Sequence, residues 1–168
     1  MIAYRMAGPD DAALLAALAT RAFTETFGHL YRPADLTAFL SRLDEACWAA
    51  ELADPALMIR LAEDDGAPAG FAKLGPPGAA FTPPGPHAEL RQLYVLAPWH
   101  GSGLANTLMN WTIETARARG ATDLYLSVFI DNPRARRFYE RHGFERVGSY
   151  TFMVGDQADE DDVMRLAL

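Results

Sequence analysis

The chain has a single cysteine, Cys47, among 168 residues. With no second thiol an intramolecular disulfide is excluded, as is a zinc site built from thiolates, and a reduced, cytoplasmic setting is the expectation. There is no charge-free apolar run of the ~20 residues that a membrane-spanning helix needs. The opening Met1-Ile2-Ala3-Tyr4-Arg5-Met6 has no long apolar core behind a basic flank, so neither export nor a membrane partner is expected. Basic charge is also short: 15 Lys and Arg face 22 Asp and Glu, a net charge of −7. Nucleic acid and anionic membranes reward a basic surface, so both are disfavoured and a cationic small molecule fits better.

What is present is an ordinary globular composition, 50% hydrophobic and 22% charged, over a length that supports one full core. Residues 1–168 are therefore expected to form a single domain. Ile2, Tyr4 and Met6 alternate with Ala3 and Arg5 as in a short strand, stopped by Gly8-Pro9-Asp10. Leu14, Leu15, Leu18, Ala19, Ala22, Phe23 and Phe27 then recur at helical spacing up to Gly28. Pro33-Ala34-Asp35 opens a second helix whose Leu36, Phe39, Leu40, Leu43, Cys47 and Trp48 share a face, which makes Cys47 a core residue.

Residues 57–63 and 68–74 read as strands joined by the hairpin signal Asp64-Asp65-Gly66. A proline-rich loop through Gly75-Pro76-Pro77-Gly78 and Pro83-Pro84-Gly85-Pro86 follows and is expected near the functional site. Next come a strand over 89–96, a helix over 104–119 and a strand over 123–129. Asn132-Pro133 caps and starts a further helix that ends at Gly143. Two closing strands, 144–154 and 163–168, flank the acidic run Asp156 to Asp162, read as a solvated hairpin tip. Hairpins early and crossovers late require a mixed sheet in an α/β fold.

The most informative stretch is Leu93 to Ala105, a strand that passes through Pro98 and a glycine-rich turn into a helix. Gly101 and Gly103 allow the backbone N–H groups of His100 to Ala105 to close around an anion at the positive end of that helix. A dinucleotide-binding turn fits less well, because Gly101-Ser102-Gly103-Leu104-Ala105-Asn106 lacks the third glycine. A P-loop is excluded, since no Gly-Lys-Ser/Thr follows.

Two segments resemble motifs of the GNAT superfamily of acetyltransferases. His100-Gly101-Ser102-Gly103-Leu104-Ala105 is similar to the family's pyrophosphate motif, Arg/Gln-x-x-Gly-x-Gly/Ala. Asn132-Pro133-Arg134-Ala135-Arg136-Arg137-Phe138-Tyr139-Glu140-Arg141-His142-Gly143-Phe144 is similar to its later motif, Asn-x-x-Ala-x-x-x-Tyr-x-x-x-Gly-Phe. The resemblance implies an α+β fold: a mixed, mostly antiparallel central sheet of about seven strands flanked by about four helices. His100 departs from the usual Arg or Gln and gives a weaker phosphate contact than a guanidinium, so Arg136 or Arg137 is expected to supply charge.

The resemblance further implies acetyl-CoA as co-substrate, no metal, and transfer of acetyl to a primary amine by direct attack on the thioester. Backbone of Leu93, Tyr94 and Val95 would hold the pantetheine arm, with the turn from His100 to Ala105, Asn132, Arg136 and Tyr139 completing the cofactor site. Tyr139 is the candidate general acid, because a phenol with a reference pKa of about 10 is protonated at neutral pH and can reprotonate a departing thiolate. Glu89 is the candidate base, which requires a raised pKa or a water relay. Phe27, His29 and Tyr31 are candidate acceptor contacts, and His29 and His87 are alternative bases. The expected acceptor is a small amine, polycationic if the acidic run reaches the site, and a homodimer is compatible with this reading. The competing readings are a non-catalytic acyl-CoA sensor or interaction module, and a protein N-terminal or lysine acetyltransferase.

Overall fold

The computed structural model of the chain describes residues 1–78 and 85–168. Pro83 and Pro84 of the expected loop lie outside the described residues. Among the described residues seven strands form one sheet: β1 (Ile2–Met6), β2 (Met58–Asp64), β3 (Ala67–Gly75), β4 (His87–Val95), β5 (Asp123–Phe129), β6 (Glu145–Val154) and β7 (Gln157–Ala167). Their order across the sheet is β1-β2-β3-β4-β5-β7-β6. Every neighbouring pair is antiparallel except β4 with β5. The mixed, mostly antiparallel sheet is thus the observed fold.

Among the described residues the helices are α1 (Ala12–Phe27), α2 (Pro33–Leu40), α3 (Glu45–Ala53), α4 (Leu104–Ala118) and α5 (Pro133–Arg141). α1 places Leu15, Leu18, Ala19, Ala22 and Phe23 in a core with Ile59, Leu61, Phe71, Trp48 and Leu96. Leu104, Leu108, Met109 and Ala116 of α4 fill a second core with Leu124, Leu126 and Met164. The β2–β3 turn holds Asp65 at φ 49° and Gly66 at φ 85°, both left-handed as a tight hairpin turn demands. None of these helices is long and apolar enough to cross a membrane.

Two sequence expectations are corrected. The single helix from Pro33 through Trp48 is two: α2 stops at Leu40, a short 3-10 turn spans Ser41–Leu43, and Asp44 starts α3 by accepting a 2.8 Å bond from Cys47 N–H. That new cap resets the helical phase, so Trp48 is buried while Cys47 is exposed instead of belonging to the core. The acidic run is no hairpin tip. The turn is confined to Gly155-Asp156, and Asp159, Asp161 and Asp162 lie within β7, each at most 7% exposed.

Candidate active site

β4 and β5 are paired only at His87–Glu89 against Asp123–Tyr125. Beyond Glu89 the two parallel strands separate, which frees one backbone edge of β4; such an edge is a template for an extended chain. A cavity of about 530 Å³ opens at this gap. It runs between α1, both strand ends, the start of α4, α5 and β7.

The cavity brings together Leu93, Tyr94 and Val95 of β4, His100, Gly101, Gly103 and Ala105 of the turn, Asn132 and Tyr139 of the later motif, and Phe27 and Tyr31. Six candidates from sequence are not in its lining. Ser102 turns its hydroxyl onto Trp99 O at 2.7 Å, and Leu104 is in the core. Arg136 is held by Glu140 and Asp162, and His29 is exposed. Glu89 accepts a 2.6 Å bond from Gly78 N–H, so its carboxylate ties down the start of the proline-rich loop. Burial raises its pKa above the usual carboxylate value. His87, at the head of β4, also stays out of the lining; its ring stands edge-on to Tyr125 at 5.6 Å.

Gly101 and Gly103 take φ of 79° and 88°, which only glycine adopts without strain, so the turn needs them for its backbone path. The N–H groups of His100 and Ser102 bond to Ala97 O and Trp99 O, and Leu104 N–H meets Ser102 Oγ at 3.4 Å. The anion donors are therefore narrower than the whole His100–Ala105 run. Among the described residues Gly101, Gly103, Ala105 and Asn106 keep N–H groups free at the start of α4. The charge beside His100 comes from neither Arg136 nor Arg137. Arg134 Nη1 donates to His100 Nδ1 at 2.8 Å, and His100 Nε2 in turn contacts Val95 O at 2.8 Å.

α5 starts where Asn132 Oδ1 accepts from Ala135 N–H at 3.2 Å with Pro133 in the first turn. Its Tyr139 and Tyr94 of β4 are both raised in pKa, mainly by burial; Tyr94 adds to the rise at Tyr139, while at Tyr94, raised to about 12, the Gln92 side chain opposes the rise and Asp161 adds to it. Tyr94 is within electrostatic reach of Tyr139 on one side and of Tyr31 and Asp161 on the other. The phenols so line up between α5 and β7.

At the β7 end the walls are aromatic. Phe23 lies 5.2 Å from Phe27, 5.9 Å from Tyr31 and 4.4 Å from Phe39, whose ring meets Phe152 at 5.6 Å. Asp159 and Asp161 project among them. Asp159 accepts from the Tyr31 hydroxyl and from Gln157 Nε2. Asp161 is raised to about 6, mainly by burial and further by Asp159 and Asp162, against a bond from Ser127. The opposite end carries Arg134 and Arg141 and the free N–H groups, so one end of the cavity is lined by guanidiniums and N–H donors and the other by carboxylates. The two aspartates escaped the sequence reading because a run of acids looks the same on a strand as on a turn. Their alternation, Asp159, Asp161, Val163, was the available signal.

The fold and this cavity define an acyltransferase-like architecture. The sequence model of the acetyltransferase (GNAT) family matches residues 13–144, and the chain belongs to that family. An uncharacterised N-acetyltransferase of Mycobacterium tuberculosis is 36% identical over 155 residues, covering 92% of this chain and 96% of that one. Among solved structures, a PaiA N-acetyltransferase from Thermoplasma acidophilum in complex with coenzyme A superposes with TM-score 0.81 at 18% identity, over 100% of this chain and 99% of that one. The yncA structure from Salmonella typhimurium, solved with its cofactor acetyl-CoA, gives TM-score 0.70 at 21% identity, over 100% and 94%. At these identities the two structures speak for the fold.

Proposed function

We propose that this acetyltransferase moves an acetyl group from acetyl-CoA to the primary amine of a small molecule. The observation that carries the reading is the two-ended cavity in the gap between β4 and β5, with anion donors at one mouth and buried carboxylates at the other. The N–H groups of Gly101, Gly103, Ala105 and Asn106, with Arg134, would take the pyrophosphate. The free edge of β4 at Leu93–Val95 would pair with the pantetheine arm as an added strand, and one of its N–H groups would polarise the thioester carbonyl. Asn132 lies at the same junction as a helix cap.

The amine attacks the carbonyl carbon, a C–N bond forms, and the C–S bond breaks to release the CoA thiolate. Tyr139 is the proton donor to that thiolate: its raised pKa keeps the phenol protonated over the working range, and it lines the same gap. Glu89 supports the site by holding the loop after β3. A small acceptor is favoured over a protein substrate because the carboxylate end is walled by Phe23, Phe27, Phe39 and Phe152. A cytoplasmic setting, one chain folding as one domain and no nucleic-acid partner belong to the same reading, in keeping with the net charge of −7.

Calorimetry with acetyl-CoA, followed by thiol release in the presence of amines, amino acids and lysine peptides, tests it. Micromolar binding and amine-dependent thiol release are expected. No binding at millimolar acetyl-CoA overturns the reading, and tight binding with no turnover on any acceptor turns it into that of a sensor.

A further inference from the structure

Three aspartates of β7 are buried within four residues, and they differ in what partners them. Asp162 points away from the cavity and accepts from two guanidiniums, Arg136 and Arg146. Asp159 has a hydrogen-bond donor on each oxygen, the Tyr31 hydroxyl and Gln157 Nε2. Asp161 is 7% exposed, lines the cavity, and among the described residues has the Ser127 side chain as its one hydrogen-bonding side-chain partner. No salt bridge to Asp161 exists among the described residues. A buried carboxylate without a cation is costly, and it is the arrangement that an arriving ammonium relieves. A second polar group waits nearby: Gln92 Oε1, on a cavity-lining residue of β4, is buried with no hydrogen-bond partner.

We propose that Asp161 receives the acceptor's ammonium and removes its proton, and that the acceptor is a primary monoamine carried on an apolar or aromatic body. This rests on the acetyltransferase reading above. Both oxygens of Asp159 are already engaged by Tyr31 and Gln157, so Asp161 offers the less occupied seat for one ammonium; the rings of Phe23, Phe27, Phe39 and Phe152 set the acceptor's body as apolar. In the step, R–NH3⁺ gives one proton to the Asp161 carboxylate, and the freed lone pair attacks the thioester. As the tetrahedral intermediate collapses to the amide, Tyr139 protonates the departing CoA thiolate, the second nitrogen proton passes through water to restore the Tyr139 phenol, and Asp161 returns its own proton to water, so that one proton is released per turnover. Asp159 and Asp161 both lie beyond residues 13–144, the span that the family model matches.

The groups facing Asp161 are Asp159 and Asp162 on β7, Ser127 on β5, Tyr94 on β4, Tyr31 after α1, and Tyr150, its register partner on β6. None carries positive charge, so each neighbour that bears charge disfavours ionisation of Asp161 and makes it a stronger base than a solvated aspartate.

The test compares wild type and Asp161→Asn with 2-phenylethylamine, hexylamine and spermidine, with acetyl-CoA affinity measured for both proteins. Wild type is expected to favour the two monoamines over spermidine at least tenfold in kcat/KM. Asp161→Asn is expected to lose about 100-fold in kcat/KM while its acetyl-CoA Kd changes by less than about twofold, which also certifies its fold. The acid limb of the wild-type pH–rate profile should be missing from the residual activity of the variant. Spermidine preference, activity within threefold of wild type in the variant, or no turnover of any of the three amines by a wild type that binds acetyl-CoA overturns this inference alone. A wild type that does not bind acetyl-CoA overturns the reading beneath it.

Discussion

Arg134 Nη1 stands 2.8 Å from His100 Nδ1, and the same imidazole reaches Val95 O through Nε2. One ring thus links the guanidinium on α5 to the last residue of β4. At the first position of the turn a histidine holds an arginine in place, so the charge enters from a different element.

Arg134→Gln is therefore expected to weaken acetyl-CoA binding by about tenfold, the loss of one charge-assisted phosphate contact, with kcat nearly unchanged. Titration of the variant with acetyl-CoA and with dephospho-CoA checks this, the affinity loss being the same for both if the pyrophosphate is the contact.

Removing the phenol should act on turnover instead. Tyr139→Phe is expected to lower kcat by about 100-fold with acetyl-CoA affinity within a factor of about two, since the ring still packs against Phe138 and Phe144. Equal kcat in the variant would show that another donor reprotonates the thiolate.

Asp161 also makes a prediction about stability. Its pKa is raised to about 6 in the folded state, against about 3.9 in an unfolded chain. The folded state thus binds the proton more tightly. Its stabilising contribution is complete below about pH 4 and is lost as pH rises through about 6, a change of about 3 kcal/mol. Asp161→Asn should be more stable than wild type above pH 7, with the gap closing as the pH falls to 4. Urea denaturation of both proteins across that range measures it.

The turn between β6 and β7 gives the clearest structural substitution. Gly155 has φ 57°, and a Cβ there would fall 2.6 Å from Asp35 Cα. Asp35 itself accepts from Asp156 N–H at 2.9 Å and from Arg32 Nε at 2.7 Å, fastening the hairpin to α2. Gly155→Ala should cost about 2 kcal/mol in urea unfolding and raise the KM for the amine more than that for acetyl-CoA.

Much of the cavity's Gly101–Asn132 end was legible from local sequence. Gly101 and Gly103 dictate a left-handed backbone wherever they are placed, and Asn132-Pro133 caps and starts a helix by its own chemistry. Apolar spacing likewise set α1, α4 and most strands. Cys47 was misplaced because its position depends on Asp44 breaking a helix whose apolar pattern reads as continuous. Glu89 was placed at the correct strand, but its direction, toward Gly78 and away from the cavity, follows from the path of the loop.

The carboxylate end was decided by tertiary structure. Burial is a property of what packs over a residue, and Tyr31 reaches Asp159 across 128 positions of sequence. Arg136 and Arg146, brought to Asp162 from α5 and β6, neutralise one acid and leave Asp161 to the cavity. The sequence by itself determined the anion end, because glycine, proline and asparagine act on their own backbone. Only the packing of α1 and α2 over β5, β7 and β6 decided that three acids in a charged run would become a paired ion, a hydrogen-bonded brace and an open carboxylate.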